Sequence, residues 1–442
     1  MVLTGEFSRV HDPSRIIKCA GKYYVFHTGN NIGMRYSTDL INWTRGKSVL
    51  DKVPEWARKA VPLAKNDHTW APDVIFLNNK YYLFYSFSTF GSKVSATGLV
   101  TSPTLDPESP DFKWMDQGVV LATTTESDYN AIDPAPILDA QGDLWLSIGS
   151  WNSGGIKLVK LDKMSGKPIS QPVTIAAGQS LGPEAPYLYY NNGYYYLFEN
   201  EGFCCRGMSS TYSVMMGRSK TITGPYLDKA GKDLAKGGGT PFLTTDGQVI
   251  GPGHIGIFSE DGFDRFTYHY YDSLNNGVAT MGLQTLVWGK DGWPRAGSDL
   301  PGGRYAIISR ASGLALGIHK ASWDDGTPID QFEYGGGAMQ QWNVSPVGGG
   351  YYSISSLGSG KHMDLAECSA KDGTRIGQYP WLNNDCQRWR IEQTGEDTYR
   401  IISKGGATAL TLPGGTKAPQ ALVEGHAWKG DIGQQWIFKR LP

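Results

Sequence analysis

Short aromatic strands, each preceded by a tight turn, recur through the first 297 residues. The pattern is carried by Gly21-Lys22-Tyr23-Tyr24-Val25-Phe26, Asn79-Lys80-Tyr81-Tyr82-Leu83-Phe84, Gly142-Asp143-Leu144-Trp145-Leu146, Asn192-Gly193-Tyr194-Tyr195-Tyr196-Leu197 and, least regularly, Asp264-Arg265-Phe266-Thr267-Tyr268. Each reads as the far arm of a β-hairpin. Ahead of each lies a Pro-containing turn with a polar residue: Asp12-Pro13, Pro72-Asp73, Asp133-Pro134, Pro183-Glu184 and Pro252-Gly253-His254. Counted from Asp12, the successive spacings are 61, 60, 51 and 70 residues. Five comparable hairpin units without helical periodicity predict a five-bladed β-propeller. The innermost strands of that fold line a central channel, so four carboxylates and one His, remote in sequence, would converge. A single Asp-Pro pair makes only a turn. Five in register, opening apolar strands such as Ile75-Phe76-Leu77 and Tyr187-Leu188-Tyr189, point to a shared site.

Beyond residue 300 the pattern changes to an internal repeat. Gln340-Gln341-Trp342, Gln387-Arg388-Trp389 and Gln434-Gln435-Trp436 are spaced by 47 residues both times. Tyr334, Trp381 and Trp428 keep the same spacing, and Asp325-Gly326-Thr327 repeats as Asp372-Gly373-Thr374. Three copies of short alternating strands resemble the ricin-type β-trefoil and carbohydrate-binding module family 13. The fold class is therefore expected to be all-β, a propeller over residues 1–299 followed by a trefoil over 300–442. The resemblance implies a structural role for each QxW triplet, and a sugar site built from an early Asp and a later aromatic platform. Only the middle repeat has that Asp, Asp364, with Tyr379 or Trp381 as the platform; Gly317 and Thr411 stand in its place elsewhere. One working lectin site is expected. Cys368 and Cys386 are replaced together in the sister repeats, by Ala321 and Met339 and by Gly415 and Gly433, so they are predicted to pair.

Composition narrows the function. Lys and Arg number 41 against 42 Asp and Glu, a net charge of −1, which argues against a nucleic-acid or membrane-surface partner. Gly is 57 of 442 residues and aromatics are 12%, a turn-rich, all-β composition. No apolar stretch is long enough to span a bilayer, and the opening Met1-Val2-Leu3-Thr4-Gly5-Glu6-Phe7 does not read as a signal peptide. Five Cys without metal-type spacing do not predict a zinc site. A disulfide would fit an oxidising, extracellular compartment.

Converging carboxylates suit glycoside hydrolysis, which needs a protonated acid for the leaving oxygen and a second carboxylate opposite it. His11-Asp12-Pro13, Trp70-Ala71-Pro72-Asp73, Tyr129-Asn130-Ala131-Ile132-Asp133-Pro134 and Glu184-Ala185-Pro186-Tyr187 resemble glycoside hydrolase family 43. Ser88-Thr89-Phe90-Gly91, Phe203-Cys204-Cys205-Arg206-Gly207, Gly217-Arg218-Ser219, Ile222-Thr223-Gly224-Pro225-Tyr226, Gly237-Gly238-Gly239-Thr240 and Gly251-Pro252-Gly253-His254 extend the likeness, closest to the arabinanase branch.

That resemblance implies an inverting hydrolase of α-1,5-linked arabinan, with Asp12 as general base, Glu184 as general acid and Asp133 as modulator of the acid. Trp70, Phe90 and Asn130 would contact the sugar. Arg206 would reach the substrate or brace Glu184. His254 would approach a structural calcium ion in the channel, largely through water. Asp73 reads as a buried structural acid, Cys204 and Cys205 as structural, and His68 and His269 carry no assigned role. The segment from Asp51 to Asp67 and the loop from Gly202 to Thr211 are candidate walls that would separate endo from exo action. The expected protein is a secreted monomer acting on plant cell-wall arabinan, endo-acting in preference to an exo-arabinanase, α-L-arabinofuranosidase, β-xylosidase or galactanase. The rival outside enzymes is a carbohydrate-binding protein with an inactive propeller.

Overall fold

The computed structural model describes residues 2–150, 154–178, 183–260 and 262–442. Its contacts divide the chain into two compact units, Leu3–Phe258 with Phe266–Leu283, and Met1–Val2, Ser259–Arg265 and Gln284–Pro442. The division runs through the fifth of five small sheets.

Those sheets are the five blades of a propeller. The first orders Thr4–Gly5, Asn42–Arg45, Gly33–Ser37, Lys22–His27 and Ile17–Cys19. The second runs Met115–Thr123, Ser95–Ser102, Lys80–Phe87, His68–Leu77 and Gly29–Asn30. The third and fourth are Ala135–Leu138 to Val173–Ala176 and Glu184–Asn191 to Thr240–Leu243, and the fifth is Val249–Glu260 to Pro294–Ala296. All five aromatic segments form the second arm of a hairpin, as the sequence pattern predicts.

Blade packing explains why these strands are apolar almost throughout. Successive side chains on a strand point to opposite faces, and in Lys80–Phe87 both faces are covered. Tyr81, Leu83 and Tyr85 join a core with Tyr24, Phe26 and Val74, while Tyr82 and Phe84 pack with Leu144, Leu146 and Val159. The ring is closed by the N-terminal segment. Val10 N–H donates to Ala279 O at 3.2 Å, Met281 N–H to Phe7 O at 3.0 Å, and Ser8 bridges Thr280.

The second unit holds a trefoil of three lobes, whose strands form one sheet of twelve. The first lobe is Gly303–Ser309, Ala315–Ile318, Ile329–Phe332 and Trp342–Pro346; the second is Tyr352–Ser356, His362–Leu365, Thr374–Tyr379 and Trp389–Gln393. The third is Tyr399–Ser403, Ala409–Thr411, Glu424–His426 and Trp436–Arg440. The QxW triplets are structural. Trp342, Trp389 and Trp436 are fully buried, and their indole N–H groups donate to Leu316 O, Met363 O and Leu410 O at 3.0–3.1 Å. Gln340, Gln387 and Gln434 each donate to a carbonyl seven residues back, at 2.8 Å in all three lobes. Cys368 and Cys386 are disulfide-bonded.

Candidate active site

One backbone device recurs at the mouth of every blade. Asp12, Ala71, Asp133, Ala185 and His254 have φ of 49°, 43°, 58°, 50° and 56°, left-handed values that L-residues rarely adopt. Four of the five precede a proline, whose ring crowds the preceding residue out of the right-handed helical region. Each of these N–H groups is turned sideways and donates to a side chain of the blade before it. Ala71 donates to Thr28 Oγ1 (2.8 Å), Asp133 to Ser86 Oγ (2.9 Å), Ala185 to Asp133 Oδ2 (3.1 Å) and His254 to Asn200 Oδ1 (2.9 Å). Asp12 closes the circle by donating to His269 Nδ1 at 3.1 Å. Five interblade hydrogen bonds thus form a ring around the channel, and the acids sit on it. Asp12 and Asp133 lie just ahead of their strands and Glu184 opens its strand, whereas Asp73 and His254 lie inside theirs.

A cavity of about 750 Å³ opens above this ring, lined by Asp12, Asp133, Glu184 and His254 together with Trp70, Phe90 and Asn130. Phe90 is 74% exposed, so its ring has no packing duty in the core. Asn130 is buried and accepts from Ser95 Oγ at 2.6 Å. Trp70 donates through its indole to His68 Nδ1 at 3.0 Å, which gives His68 a place in the wall. Cys204 and Cys205 form a vicinal disulfide on the same wall. Of the two candidate walls, the 202–211 loop therefore reaches the cavity, while no residue of 51–67 lines it.

Arg206 stands elsewhere. It is not among the lining residues, and its guanidinium sits over the Phe203 ring, 3.9 Å from the centroid. The bracing of Glu184 falls to Tyr212, whose hydroxyl donates to Oε1, and to Ser150, whose hydroxyl donates to Oε2 at 2.9 Å. Neither residue carries a signal in the sequence, because each is one hydroxyl on an ordinary strand or loop.

The electrostatics of the acids diverge. Burial alone would raise Asp12, but the imidazoles around it prevail and hold it well below the usual carboxylate range. His11 Nδ1 donates to its Oδ2 at 2.8 Å and Thr28 Oγ1 donates to the same oxygen at 2.5 Å, while His254 and His269 approach Oδ1 at 3.5 Å. Burial disfavours a charge on His11 too, yet Asp12 and Glu184 lift it above its ordinary value. His269, fully buried and stacked on His11 at 3.8 Å, was given no role by sequence, and it is a direct partner of Asp12. Glu184 is pushed up by burial, against the opposing pull of Tyr212 and Ser150. Asp133 is pushed well up by burial and by the charge of Glu184.

Asp73 is a structural acid, as its sequence suggested. Arg15 grips it through Nε and Nη2 at 2.6–3.2 Å and through its backbone N–H at 3.0 Å. The same guanidinium donates to Pro136 O and lies over the Tyr187 ring, so one side chain of the first blade touches the second, third and fourth.

Calcium takes oxygen ligands, and the carboxylate beside His254 is Asp12, already engaged by Thr28 and the imidazoles. His269 accepts the Asp12 N–H through Nδ1, which puts its own proton on Nε2 and removes it as a ligand. The residues beside His254 thus offer a calcium ion few free oxygens, and such an ion would keep most of its water.

Comparison with known proteins agrees with this architecture. The model of glycosyl hydrolases family 43 matches residues 7–294, and a ricin-type beta-trefoil lectin domain-like model matches 293–379 and again 338–426. An extracellular exo-α-(1→5)-L-arabinofuranosidase of Cellvibrio japonicus is 37% identical over 65% of this chain and 86% of its own. An extracellular endo-α-(1→5)-L-arabinanase of Bacillus subtilis is 42% identical over 64% of this chain and 87% of its own. Among solved structures, an exo-1,5-α-L-arabinanase from a bovine ruminal metagenomic library is 42% identical with a TM-score of 0.64, covering 66% of this chain and 99% of that one. With a family match over more than half its length and the acids gathered on one propeller cavity, the chain belongs to glycosyl hydrolases family 43.

Proposed function

We propose that this protein is a secreted, inverting arabinanase that cuts α-1,5-L-arabinofuranosyl links within arabinan. The observation that carries the reading is the divergence of two acids on one cavity, Asp12 held ionised and Glu184 held toward its protonated form. Inversion needs that division of labour. Asp12 takes the proton of the attacking water, and Glu184 delivers its proton to the leaving glycosidic oxygen. The two carboxyl groups are expected to stand about 6.5–9.5 Å apart across the bound sugar. Asp133 acts on Glu184 by charge and by fixing the Ala185 amide. Trp70, Phe90 and Asn130 line the sugar path, and Arg206 acts on the loop through Phe203 rather than on the substrate. His254 would hold a hydrated calcium ion, whose positive field near Asp12 would favour the ionised base.

The extracellular reading is supported by the extracellular relatives and by the two disulfides. The trefoil would hold the enzyme on wall polysaccharide, raising local substrate concentration, with Asp364, Tyr379 and Trp381 as one sugar site. Relatives of both modes resemble this chain, and the endo reading is favoured by the endo-arabinanases among them. A product time course on debranched arabinan tests it. An early ladder of oligosaccharides is expected; arabinose or one short product from the outset would replace endo with exo action. Glu184→Gln should lower the rate by roughly 10²–10⁴-fold, and full activity in that variant would remove Glu184 as the acid.

A further inference from the structure

Two groups near the catalytic acids have no part in the chemistry above, the Cys204–Cys205 disulfide and Tyr271. The chain-entropy benefit of a disulfide grows with the length of the loop it closes. Cys368–Cys386 spans 18 residues, but Cys204 and Cys205 are neighbours and close no loop. Their bond acts on the peptide between them and on the backbone of Cys205, whose φ is 67°. That left-handed value is uncommon for a residue with a Cβ, and Cys205 is exposed, so packing of its side chain does not hold it there. The loop's own hydrogen bonds, Thr211 N–H to Phe203 O at 2.9 Å and Arg206 N–H to Ser210 Oγ at 3.0 Å, lie to either side of this peptide.

The Cys205 N–H donates to Tyr271 Oη at 2.6 Å, and the same hydroxyl meets His11 Nε2 at 2.7 Å. The other ring nitrogen, His11 Nδ1, donates to Asp12 Oδ2 at 2.8 Å. Tyr271 is buried, and burial pushes its hydroxyl above the ordinary tyrosine value, so the group stays neutral. A neutral His11 takes the Tyr271 proton at Nε2, and a charged one gives its own, so the ring is held on Asp12 in both states. Tyr271 shares the strand Phe263–Asp272 with His269, two residues earlier and on the same face. His269 stacks on the His11 ring at 3.8 Å. That strand therefore holds the imidazole by its face and by its edge.

We infer that Tyr271 and the Cys204–Cys205 disulfide are positioning groups for the base. The disulfide fixes the Cys205 amide, the amide orients the Tyr271 hydroxyl, and the hydroxyl holds His11 against Asp12. This rests on the reading of Asp12 as the base.

The test measures kcat and KM of the full chain on a short soluble arabino-oligosaccharide. Tyr271→Phe removes the shared oxygen. Its kcat should fall about three- to tenfold, the order of one lost hydrogen bond, with KM within about twofold. Cys204→Ser/Cys205→Ser should show the same split. Adding Tyr271→Phe to that pair should cost little more than either change alone, because the links act in series. Tris(2-carboxyethyl)phosphine gives two electrons to a disulfide, yielding two thiols, and is itself oxidised with oxygen from water. It should bring the parent to the level of the double-cysteine variant and leave that variant unchanged; both proteins carry Cys368–Cys386, so its reduction cancels in the comparison.

Losses that add when the changes are combined, or a parent kcat in Tyr271→Phe, overturn the inference. A raised KM with kcat intact in the double-cysteine variant makes the disulfide a sugar contact and also overturns it. Should the variants fold poorly, the parent decides: an unchanged kcat with both disulfides reduced overturns the inference. Asp12→Asn separates the two readings. If it hydrolyses at the parent rate, the base reading falls and the inference with it. If it is inactive while Tyr271→Phe and the double-cysteine variant match the parent, only the inference falls.

Discussion

Asp133 Oδ2 accepts the backbone N–H of Ala185, the residue after Glu184, at 3.1 Å. Asp133 thus holds the peptide that carries Glu184, and both carboxyl groups line the same cavity. Such a pair loses its protons in two steps that belong to both groups.

Opposite shifts of one pH limb follow. With Glu184 as the proposed acid, its deprotonation sets the alkaline limb. If Asp133 acts on Glu184 by charge, as proposed, Asp133→Asn, which keeps an acceptor for Ala185, should move the alkaline limb to lower pH. Tyr212→Phe removes a donor that favours the charged form of Glu184, so the same limb should move to higher pH. Profiles of kcat/KM measured across the acid and alkaline range check both signs; coincident limbs would detach Asp133 and Tyr212 from the acid.

With Asp12 as the proposed base, the acid limb belongs to it. His11 is the largest of the forces drawing Asp12 down, and an ionised base survives acid only as far as its depressed pKa allows. His11→Gln should therefore raise the pH at which activity is lost on the acid side, with the alkaline limb moving much less. An unchanged acid limb would show that Asp12 is not the base being titrated.

Arg15 predicts a stability effect without a chemical one. Arg15→Met leaves Asp73 buried with no cation, a loss of about 3–5 kcal/mol for a broken buried pair. Thermal unfolding should show a clearly lower transition. Arg15→Met combined with Asp73→Asn should recover part of it, and equal transitions for parent and single variant would refute the bracing role.

Removal of divalent cations tests the calcium reading. Chelation should lower both activity and the unfolding temperature of the parent, and added Ca²⁺ should restore them. His254→Ala should respond to neither treatment. A parent indifferent to chelator would leave His254 as a partner of Asp12 alone.

Much of this site was legible along the chain because four of its five blade mouths carry an X-Pro pair. Proline both constrains the residue before it and withholds a ladder donor, so the turn chemistry and the acid occur together at Asp12 and Asp133. The aromatic hairpins were legible because interblade burial makes both strand faces apolar. Tyr212, Ser150, Thr28 and His269 were not, since a hydroxyl or imidazole on a loop or strand looks alike whether it meets a neighbouring blade or solvent. Arg206 misled for the same reason: its motif fixes its loop position but not the Phe203 ring beneath it.

The circle of hydrogen bonds through Asp12, Ala71, Asp133, Ala185 and His254 is completed by His269. The residue proposed as base therefore depends for its orientation on a strand synthesised more than 250 residues later. A chain still emerging from the ribosome, or clipped within its last blade, has the carboxylates but lacks the acceptor that fixes the backbone of the first of them. On the reading of Asp12 as the base, full activity waits until the first and last blades of the propeller have met, so the same contact that closes the architecture would also time its onset.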